Sequence, residues 1–283
     1  MQIQVIVDPY DSGQYGQRMG RGPLRFRDEG LPEALTAAGH NVRVTEVSPG
    51  ESFVPEPRAA FLLHHRIAER VKDGEGFPLL LSGNCNACIG MLPGLGLPDI
   101  GIIWMDTHGD FNTPDTSVSG FFDGMGLAAA AGRCWQAALG ALPGFAPLPE
   151  AQIMHVGSRD LDADEARLMA DSPLALIDAA QIQREGVAGA LGPALDALRE
   201  RVERVYLHLD LDVLDASIAP ANQFEAPPGG LSIEQAEAVI REIGARFTLA
   251  GAGLASYDPA YDPDGRTLAA GIRLAGVMAE YGE

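Results

Sequence analysis

Residues 99–114 read DIGIIWMDTHGDFNTP, an apolar run that ends in two carboxylates and an imidazole at alternate positions. Such an apolar run is typical of a strand that is buried on both faces of a parallel sheet. Asp106, His108 and Asp110 share one parity, so an extended chain directs them to the same side. Ligands of open parallel sheets bind beyond the carboxyl ends of the strands. The stretch therefore predicts a parallel sheet with a ligand site at its edge.

A second stretch, YLHLDLDVLD at residues 206–215, repeats this pattern, because His208, Asp210 and Asp212 share one parity. Neither cluster contains Lys or Arg, and buried carboxylates are unfavourable unless they are paired or bind a cation. Asp and His together suit Mn, Fe or Zn better than Ca or Mg. Several carboxylates indicate two ions, roughly 3.5–4 Å apart, that share a hydroxide. The alternative is that both clusters are solvated loop acids.

Strand-like and helix-like patterns alternate along the whole chain. Strands are predicted at residues 3–7, 42–47, 77–83, 99–105, 152–156, 174–177, 205–211 and 249–256. Helices are predicted at residues 28–38, 57–72, 127–142, 163–170, 188–203 and 233–246, with a glycine-rich loop at 13–23. This alternation predicts an α/β fold whose parallel strands are covered by helices on both faces, in a single domain over residues 1–283.

Composition excludes several classes of partner. The net charge is -19, with 20 basic and 39 acidic residues, which argues against a nucleic-acid partner. No apolar run is long enough to span a bilayer, so we expect no membrane partner. The N-terminal MQIQVIVDPYDSG predicts a strand and not a signal peptide. Three cysteines without a disulfide framework fit a reducing compartment, and we expect a cytoplasmic protein.

Several motifs resemble those of the arginase/agmatinase (ureohydrolase) family. Residues 106–112, DTHGDFN, resemble its DAHxDxN motif, and residues 210–215, DLDVLD, resemble its DxDxLDP motif. The similarity extends to SGFFDGM (119–125), GSRDLDADE (157–165), GGLS (229–232) and PAYDPDGRT (259–267). These motifs occur in the family's order over most of the chain. The resemblance implies a three-layer αβα sandwich around a mostly parallel sheet.

The resemblance also implies a centre of two divalent ions, with manganese as the expected metal. One ion would be held by Asp106, Asp110 and Asp210, and the other by Asp106, His108, Asp210 and Asp212. A hydroxide between the ions would attack an amidine or guanidine carbon. Asp110 would hold that hydroxide and pass its proton on, which makes Asp110, His108 and the loop residue Asp123 the implied catalytic set.

Four further positions match the substrate-binding residues of arginases. Asn112, Ser117 and Ser119 match the residues that hold the substrate's α-carboxylate, and Asp162 matches the acid that meets its α-amino group. The resemblance therefore implies an amino-acid substrate in preference to a plain amine.

Two departures from the family's motifs affect metal and proton chemistry. The family has GGDHS where residues 82–86 read SGNCN, so Cys85 replaces a metal-binding histidine. A thiolate would shift the metal preference towards Zn or Fe, and a hydroxyarginine-hydrolysing branch of the family also has Cys there. The alternative for Cys85 is a small buried hydrophobic residue. Asp123 replaces the family's proton-shuttling histidine, and it is either a proton-transfer group or a loop acid.

A third departure affects the charge of the substrate. Ser256 stands where the family has a glutamate that pairs with the guanidinium, and Ser cannot neutralise a cation. Asp258 would replace that glutamate only with a shift of register. Phe224 replaces a small polar residue. These changes favour a less basic substrate, such as an N-hydroxyguanidine or another linear amidine or amide.

The sequence thus predicts a metal-dependent hydrolase of a linear C–N bond in a small guanidino or amidino compound, releasing urea or a substituted urea. One alternative is a formimino or amide hydrolase with the same site. The other is a catalytically weak, metal-binding paralogue. By resemblance, a homotrimer or homohexamer is expected.

Overall fold

One parallel sheet organises the computed structural model, which describes residues 1–50, 56–224 and 226–282. Within these ranges the strands are β1 (Gln2–Asp8), β2 (Tyr10–Asp11), β3 (Gln14–Tyr15), β4 (Asn41–Glu46), β5 (Phe77–Ser82), β6 (Ile100–Met105), β7 (Ile153–Ser158), β8 (Ala175–Asp178), β9 (Arg204–Asp210) and β10 (Thr248–Ala255). β2 and β3 form a small antiparallel hairpin. The other eight strands form one sheet in the order β4-β1-β5-β10-β9-β6-β7-β8, with every neighbouring pair parallel.

Helices connect the strands and cover both faces of the sheet. They are α1 (Arg21–Asp28), α2 (Leu31–Ala37), α3 (Glu56–Asp73), α4 (Cys88–Leu95), α5 (Gly126–Ala130), α6 (Gln136–Gly140), α7 (Ala163–Ala170), α8 (Ala179–Arg199), α9 (Ile233–Gly244) and α10 (Arg266–Ala279). Gly186 has non-helical dihedral angles and breaks α8 into two segments. Among the described residues, none of the helices is long and apolar enough to cross a membrane.

Alternate residues of the central strands enter two separate cores. Ile103 and Met105 of β6 pack in the core that includes residues of α2, α8, α9 and α10. Ile102 and Trp104 pack in the opposite core, with residues of α3, α4 and α5. The strand is therefore buried on both faces, as its unbroken apolar sequence predicts. The predicted three-layer αβα architecture is confirmed.

Two predicted helices are interrupted. The helix predicted at 28–38 is wrong as one element, because Gly30 adopts a left-handed φ of 114° between α1 and α2. The loop predicted at 13–23 is also too long, because α1 begins at Arg21. The helix predicted at 127–142 is split into α5 and α6 by Gly132 and Trp135, both with positive φ. Left-handed residues end a helix because they turn the chain out of its axis.

Three helices were not predicted, namely α1, α4 and α10. α4 has the sequence CIGMLPGL, in which residues 88–93 are all buried, so it lacks the polar face that reveals a helix in a sequence. α10 begins directly after Gly265, which adopts a left-handed conformation. α10 packs against α9 and α2 and closes the first core.

Glycine allows α3 and α4 to approach closely. A Cβ atom on Gly90 would lie 2.5 Å from the carbonyl oxygen of His64 and 2.8 Å from the Cβ of Ile67. Gly90 therefore allows the two helix backbones to come closer than a larger residue would permit. The same contact buries His64, whose imidazole Nε2 lies 2.8 Å from Asn86 Oδ1. His64 therefore lies in the interior, although its helix carries many charged residues.

We expect Gly90→Ala to lower the free energy of unfolding by about 1–3 kcal/mol, the usual cost of forcing an extra group into a packed interior. Gly276→Ala in α10 is the matched control, because a Cβ there meets nothing within 4 Å. The control should be neutral or stabilising by up to about 1 kcal/mol, since Ala has the higher helix propensity. Urea unfolding of both variants measures the difference, and equal effects would contradict the close contact.

Candidate active site

The carboxyl ends of four neighbouring strands meet around one cavity of about 170 Å³. β5 leads to Cys85, β6 to the 106–110 segment, β9 to Asp210 and Asp212, and β10 to Ser256. The cavity is lined by Cys85, His108, Asp110, Asn112, Ser117, Ser119, Phe121, Asp123, Gly124, Asp160, Asp162, Glu165, Asp210, Asp212, Phe224 and Ser256. The structure thus brings together all but two of the predicted site residues.

Asp106 and Asp258 are those two. Asp106 is buried directly beneath the cavity, 1% exposed, and touches the ring of His108. Asp258 lies elsewhere, where its Oδ1 accepts a hydrogen bond from Ala260 N and lies 3.6 Å from Arg21 Nη2. It caps the short 3₁₀ helix Pro259–Tyr261. Asp258 therefore cannot replace the missing glutamate without unfolding that cap, and the prediction that assigned it to the substrate site is corrected.

Three residues form one metal-type donor cluster at the floor of the cavity. His108 Nδ1 lies 3.5 Å from Asp106 Oδ1 and 3.4 Å from Asp212 Oδ2. These three side chains offer ligand atoms that all lie within 4.8 Å of one another. Burial lowers the pKa of His108, but Asp212 and Asp106 outweigh it and raise that pKa to about 10. The His108 ring therefore lies between two carboxylates, where a cation is favoured.

A second cluster adjoins the first. Cys85, Asp106 and His208 also offer ligand atoms within 4.8 Å of one another, and all three are buried. The Cys85 thiol donates to Asp210 Oδ2 at 2.9 Å and lies 3.2 Å from Ser256 Oγ. Burial and then the neighbouring carboxylates raise the pKa of this thiol well above its usual value. Only a bound cation would give a thiolate here.

The electrostatics of the floor fit metal ions. Burial, followed by the surrounding acids, raises the pKa of Asp110 and of Asp210 well above the ordinary value. Burial and Asp212 raise the pKa of Asp106 to about 6. Among the described residues, no Lys or Arg lines the cavity, and Asp110 Oδ2 is buried without a hydrogen-bond partner. Clustered acids without a cationic side chain are the donor set that divalent transition metals complete.

The nearby backbone is strained at two of these positions. Asp110 has a φ of 49° and Ser256 a φ of 61°, which places both in the left-handed region. Non-glycine residues adopt this region at a cost, and such residues concentrate at functional sites.

Residues that the sequence analysis did not assign to the site hold its ligands in place. Trp104 Nε1 donates to Asp106 Oδ2 at 3.0 Å, and Asn222 Nδ2 donates to Asp212 Oδ2 at 3.3 Å. His155 Nε2 lies 2.7 Å from the carbonyl oxygen of His108. The contacts of His155 and Asn222 join positions 47 and 10 residues apart, so the local pattern carried no signal for them.

Asp123 lies at the side of the cavity nearest β5. It is 5% exposed, and its carboxylate accepts hydrogen bonds from Asn86 N at 2.8 Å, Asn86 Nδ2 at 2.9 Å and Asn84 Nδ2 at 2.9 Å. Burial raises its pKa to about 7, although these hydrogen bonds oppose the shift. The alternative that Asp123 is a solvated loop acid does not fit this burial.

The outer wall combines polar and aromatic groups. Asn112 Nδ2 donates to Asp162 Oδ2 at 3.0 Å, and the hydroxyls of Ser117 and Ser119 lie 3.4 Å apart at the exposed rim. The rings of Phe121 and Phe224 lie 5.7 Å apart. Phe224 also approaches His108, with 6.1 Å between ring centroids. The lining of the cavity therefore combines polar side chains with aromatic rings.

Glu165 is a lining residue that the sequence analysis did not assign. It accepts hydrogen bonds from Phe111 N at 2.9 Å and from Asp162 N at 3.2 Å, as part of the capping box that begins α7. Burial raises its pKa to about 7. The spacing of Asp162 and Glu165 is the sequence signal of a capping box and would have located it.

Comparisons with known proteins agree with this geometry. A model of the arginase family matches residues 1–279. The chain is 28% identical to an arginase from Bacillus caldovelox, over 98% of this chain and 97% of that arginase. It is also 28% identical to an arginase from Bacillus subtilis, over 96% and 95% of the two chains. A crystal structure of arginase from Bacillus subtilis superposes with a TM-score of 0.88 at 27% identity, covering 98% of both chains.

We expect the metal-free protein to lose stability as the pH rises from about 5 to about 8. Unfolded carboxyls lose their protons near pH 4. In the folded protein Asp123 and Glu165 have pKa values of about 7, and burial with Asp123 raises the pKa of Asp8 to about 8. The native state therefore holds more protons than the unfolded state across this window, so stability falls with pH.

Thermal unfolding of chelator-treated protein at several pH values measures this slope. Asp8→Asn should make the slope shallower, because it removes one of the buried carboxyls. Asp99→Asn, at an exposed carboxylate, is the matched control. An unchanged slope in the Asp8 variant would count against the raised pKa of Asp8.

Proposed function

This chain belongs to the arginase family, and we propose that it hydrolyses a linear C–N bond in the amidino or guanidino group of an amino-acid derivative, releasing urea or a substituted urea. The observation that supports this most is the composition of the cavity. Its floor carries the acidic and imidazole ligands, its wall carries the groups that match amino-acid recognition, and its base has Ser256 in place of a carboxylate. We propose that residues 1–283 act as one catalytic domain, since β1 and β10 from opposite ends of the chain flank β5 in the same sheet.

The floor residues would hold two divalent ions, for which we propose manganese, with zinc or iron as the alternatives that Cys85 favours. Asp106, Asp110, Asp210 and Cys85 would hold one ion, and Asp106, His108, Asp210 and Asp212 the other. When bound, such a pair of ions activates water as a nucleophile at neutral pH and stabilises the charge that develops in the transition state.

Asp110 and Asp123 are placed to handle protons. The free Oδ2 of Asp110, which has no partner among the described residues, can accept a hydrogen bond from the attacking water. Asp123 lines the same cavity, and its pKa of about 7 allows it to accept and donate a proton near neutral pH. This pKa removes the mismatch that an ordinary aspartate would have in the place of a histidine.

The polar side of the wall suits the α-amino acid end of a substrate. The Asn112 amide and the hydroxyls of Ser117 and Ser119 are hydrogen-bond donors for a carboxylate. The Asp162 carboxylate is an acceptor for an ammonium group. These groups line the same cavity as the acidic and imidazole ligands, so a linear substrate could bind its amino-acid end here with its reacting end towards those ligands.

Ser256 favours a reacting group of low basicity. Its hydroxyl is 3.2 Å from the Cys85 thiol, at the position where a carboxylate would pair with a guanidinium. A hydroxyl cannot neutralise a cation, so binding a charged guanidinium here would leave its charge unpaired. An N-hydroxyguanidine or another weakly basic amidine avoids this cost.

We expect the metal-loaded protein to release hydroxyurea from Nω-hydroxy-L-arginine faster than it releases urea from L-arginine. The measurement is a product assay over both substrates, agmatine and N-formimino-L-glutamate, with Asp210→Ala as the control that loses metal and turnover together. Ammonia or formamide from the formimino substrate would support the amide-hydrolase alternative. No turnover by a fully metal-loaded protein would support the non-catalytic alternative.

We further expect Ser256→Glu to favour L-arginine. The kcat/KM for L-arginine divided by that for the hydroxyguanidine should rise by about tenfold to a hundredfold, since hydrogen bonds to charged groups contribute about 1.5–3 kcal/mol. Ser256→Ala is the matched control and should leave that ratio close to its original value. Metal content of each variant must be measured, because Ser256 adjoins Cys85. A ratio that is unaffected by the added carboxylate in a metal-replete protein would contradict this role of position 256.

A further inference from the structure

Cys85, Asp106 and His208, here called the inner cluster, are buried, and of the three only Cys85 lines the cavity. Their ligand atoms lie within 4.8 Å of one another, and the three residues are 2%, 1% and 0% exposed. They offer one sulfur, one carboxylate oxygen and one imidazole nitrogen. His208 comes from β9, two residues before Asp210, and does not line the cavity itself.

His208 is a buried imidazole with unused nitrogens. Within the described part of the chain, neither Nδ1 nor Nε2 has a hydrogen-bond partner. Buried polar atoms are nearly always satisfied, so a buried ring with both nitrogens unpaired calls for a partner. An imidazole ring offers one nitrogen lone pair to a metal ion when it is neutral.

Neighbouring side chains fix the position of this ring. Trp104 on β6 pairs in register with His208, and the two rings stack with 3.8 Å between centroids and 20° between planes. The same indole donates to Asp106 Oδ2 at 3.0 Å, so it orients two members of the inner cluster. On the other side the register partner is Gly253, where a Cβ would lie 3.7 Å from His208 Nδ1. The ring is therefore held in place without being hydrogen-bonded.

We infer that His208 is a ligand of the metal ion that Cys85 binds, and that it supplies the imidazole nitrogen that position 85 does not offer. The inference rests on one part of the proposed function, namely that the cavity binds transition metals. A sulfur, nitrogen and oxygen donor set suits Zn²⁺, Co²⁺ or Fe²⁺ better than Mn²⁺. Binding requires the thiolate, so the Cys85 proton, now directed at Asp210, is released to solvent.

Cobalt titration of the chelator-treated, full-length protein tests this assignment. The near-ultraviolet thiolate-to-cobalt charge-transfer band reports only an ion bound to cysteine. Cys85→Ser should abolish the band, which separates Cys85 from the other buried cysteines, Cys88 and Cys134. His208→Asn should raise the dissociation constant read from the band by at least about tenfold, since even residues that only orient a ligand change affinity by that much.

His64→Asn is the matched control. His64 is also buried, but it lies on α3, contacts Asn86 Oδ1 and belongs to neither donor cluster. It should leave the dissociation constant of the cysteine-bound ion unchanged. Equal weakening in both variants, or an unchanged constant in His208→Asn, would overturn the assignment, even if urea release is normal. A tight, His208-dependent band in a protein without turnover would uphold it and reject the proposed function.

Circular dichroism establishes that both variants are folded. If His208→Asn does not fold, X-ray absorption at the cobalt edge of the wild-type protein with one equivalent of metal decides the question. Scattering from one sulfur together with an imidazole ring supports the inference. Sulfur accompanied by oxygen ligands alone overturns it.

Discussion

The burial of several carboxylates in one place is the constraint on which the rest of the structure depends. Asp106, Asp110, Asp210 and Asp212 converge at the floor of one cavity, each no more than 6% exposed. Burial and mutual repulsion oppose their ionisation, as the raised pKa values of Asp110 and Asp210 record. Such a group of acids is unfavourable in a metal-free protein, and the surrounding fold must hold it together. Bound divalent cations would make the same acids stabilise the folded protein, because they bind the ionised carboxylates that burial disfavours.

The parallel sheet is what makes this convergence possible. Only parallel strands with helical crossovers bring the ends of β5, β10, β9 and β6 to one edge in that order. Register then sets the depth of each side chain. Trp104 pairs in register with His208, and its indole stacks on that imidazole and donates to Asp106. The strands are buried on both faces, and two apolar cores fix them from either side, which keeps the ligand-bearing loops on a rigid base.

Features that depend on local pattern could be predicted, and features that depend on distant contacts could not. Apolar runs and the alternation of apolar with polar residues located the eight sheet strands, and period-two acids located the acidic cluster at the strand ends. The fully buried α4 carries no helical periodicity, so it escaped prediction. The environment of His64 depends on Asn86, which lies 22 residues away in sequence. The position of Asp258 depends on how the chain turns after Ser256. Ser256 lines the cavity, but Asp258, two residues later, caps a short 3₁₀ helix.

The departures from the family's motifs are neighbours in space and not scattered changes. Cys85 contacts Ser256 at 3.2 Å, shares the inner cluster with His208, and is followed by Asn86, whose backbone N–H donates to Asp123. The side formed by His108 and the carboxylates keeps the family's residue types. One side of the proposed centre thus combines a thiol and an imidazole from β9 with a hydroxyl on the loop after β10. The proposed softer ion and the proposed less basic substrate would have the same cause, because both would follow from having fewer hard, charged groups on that side.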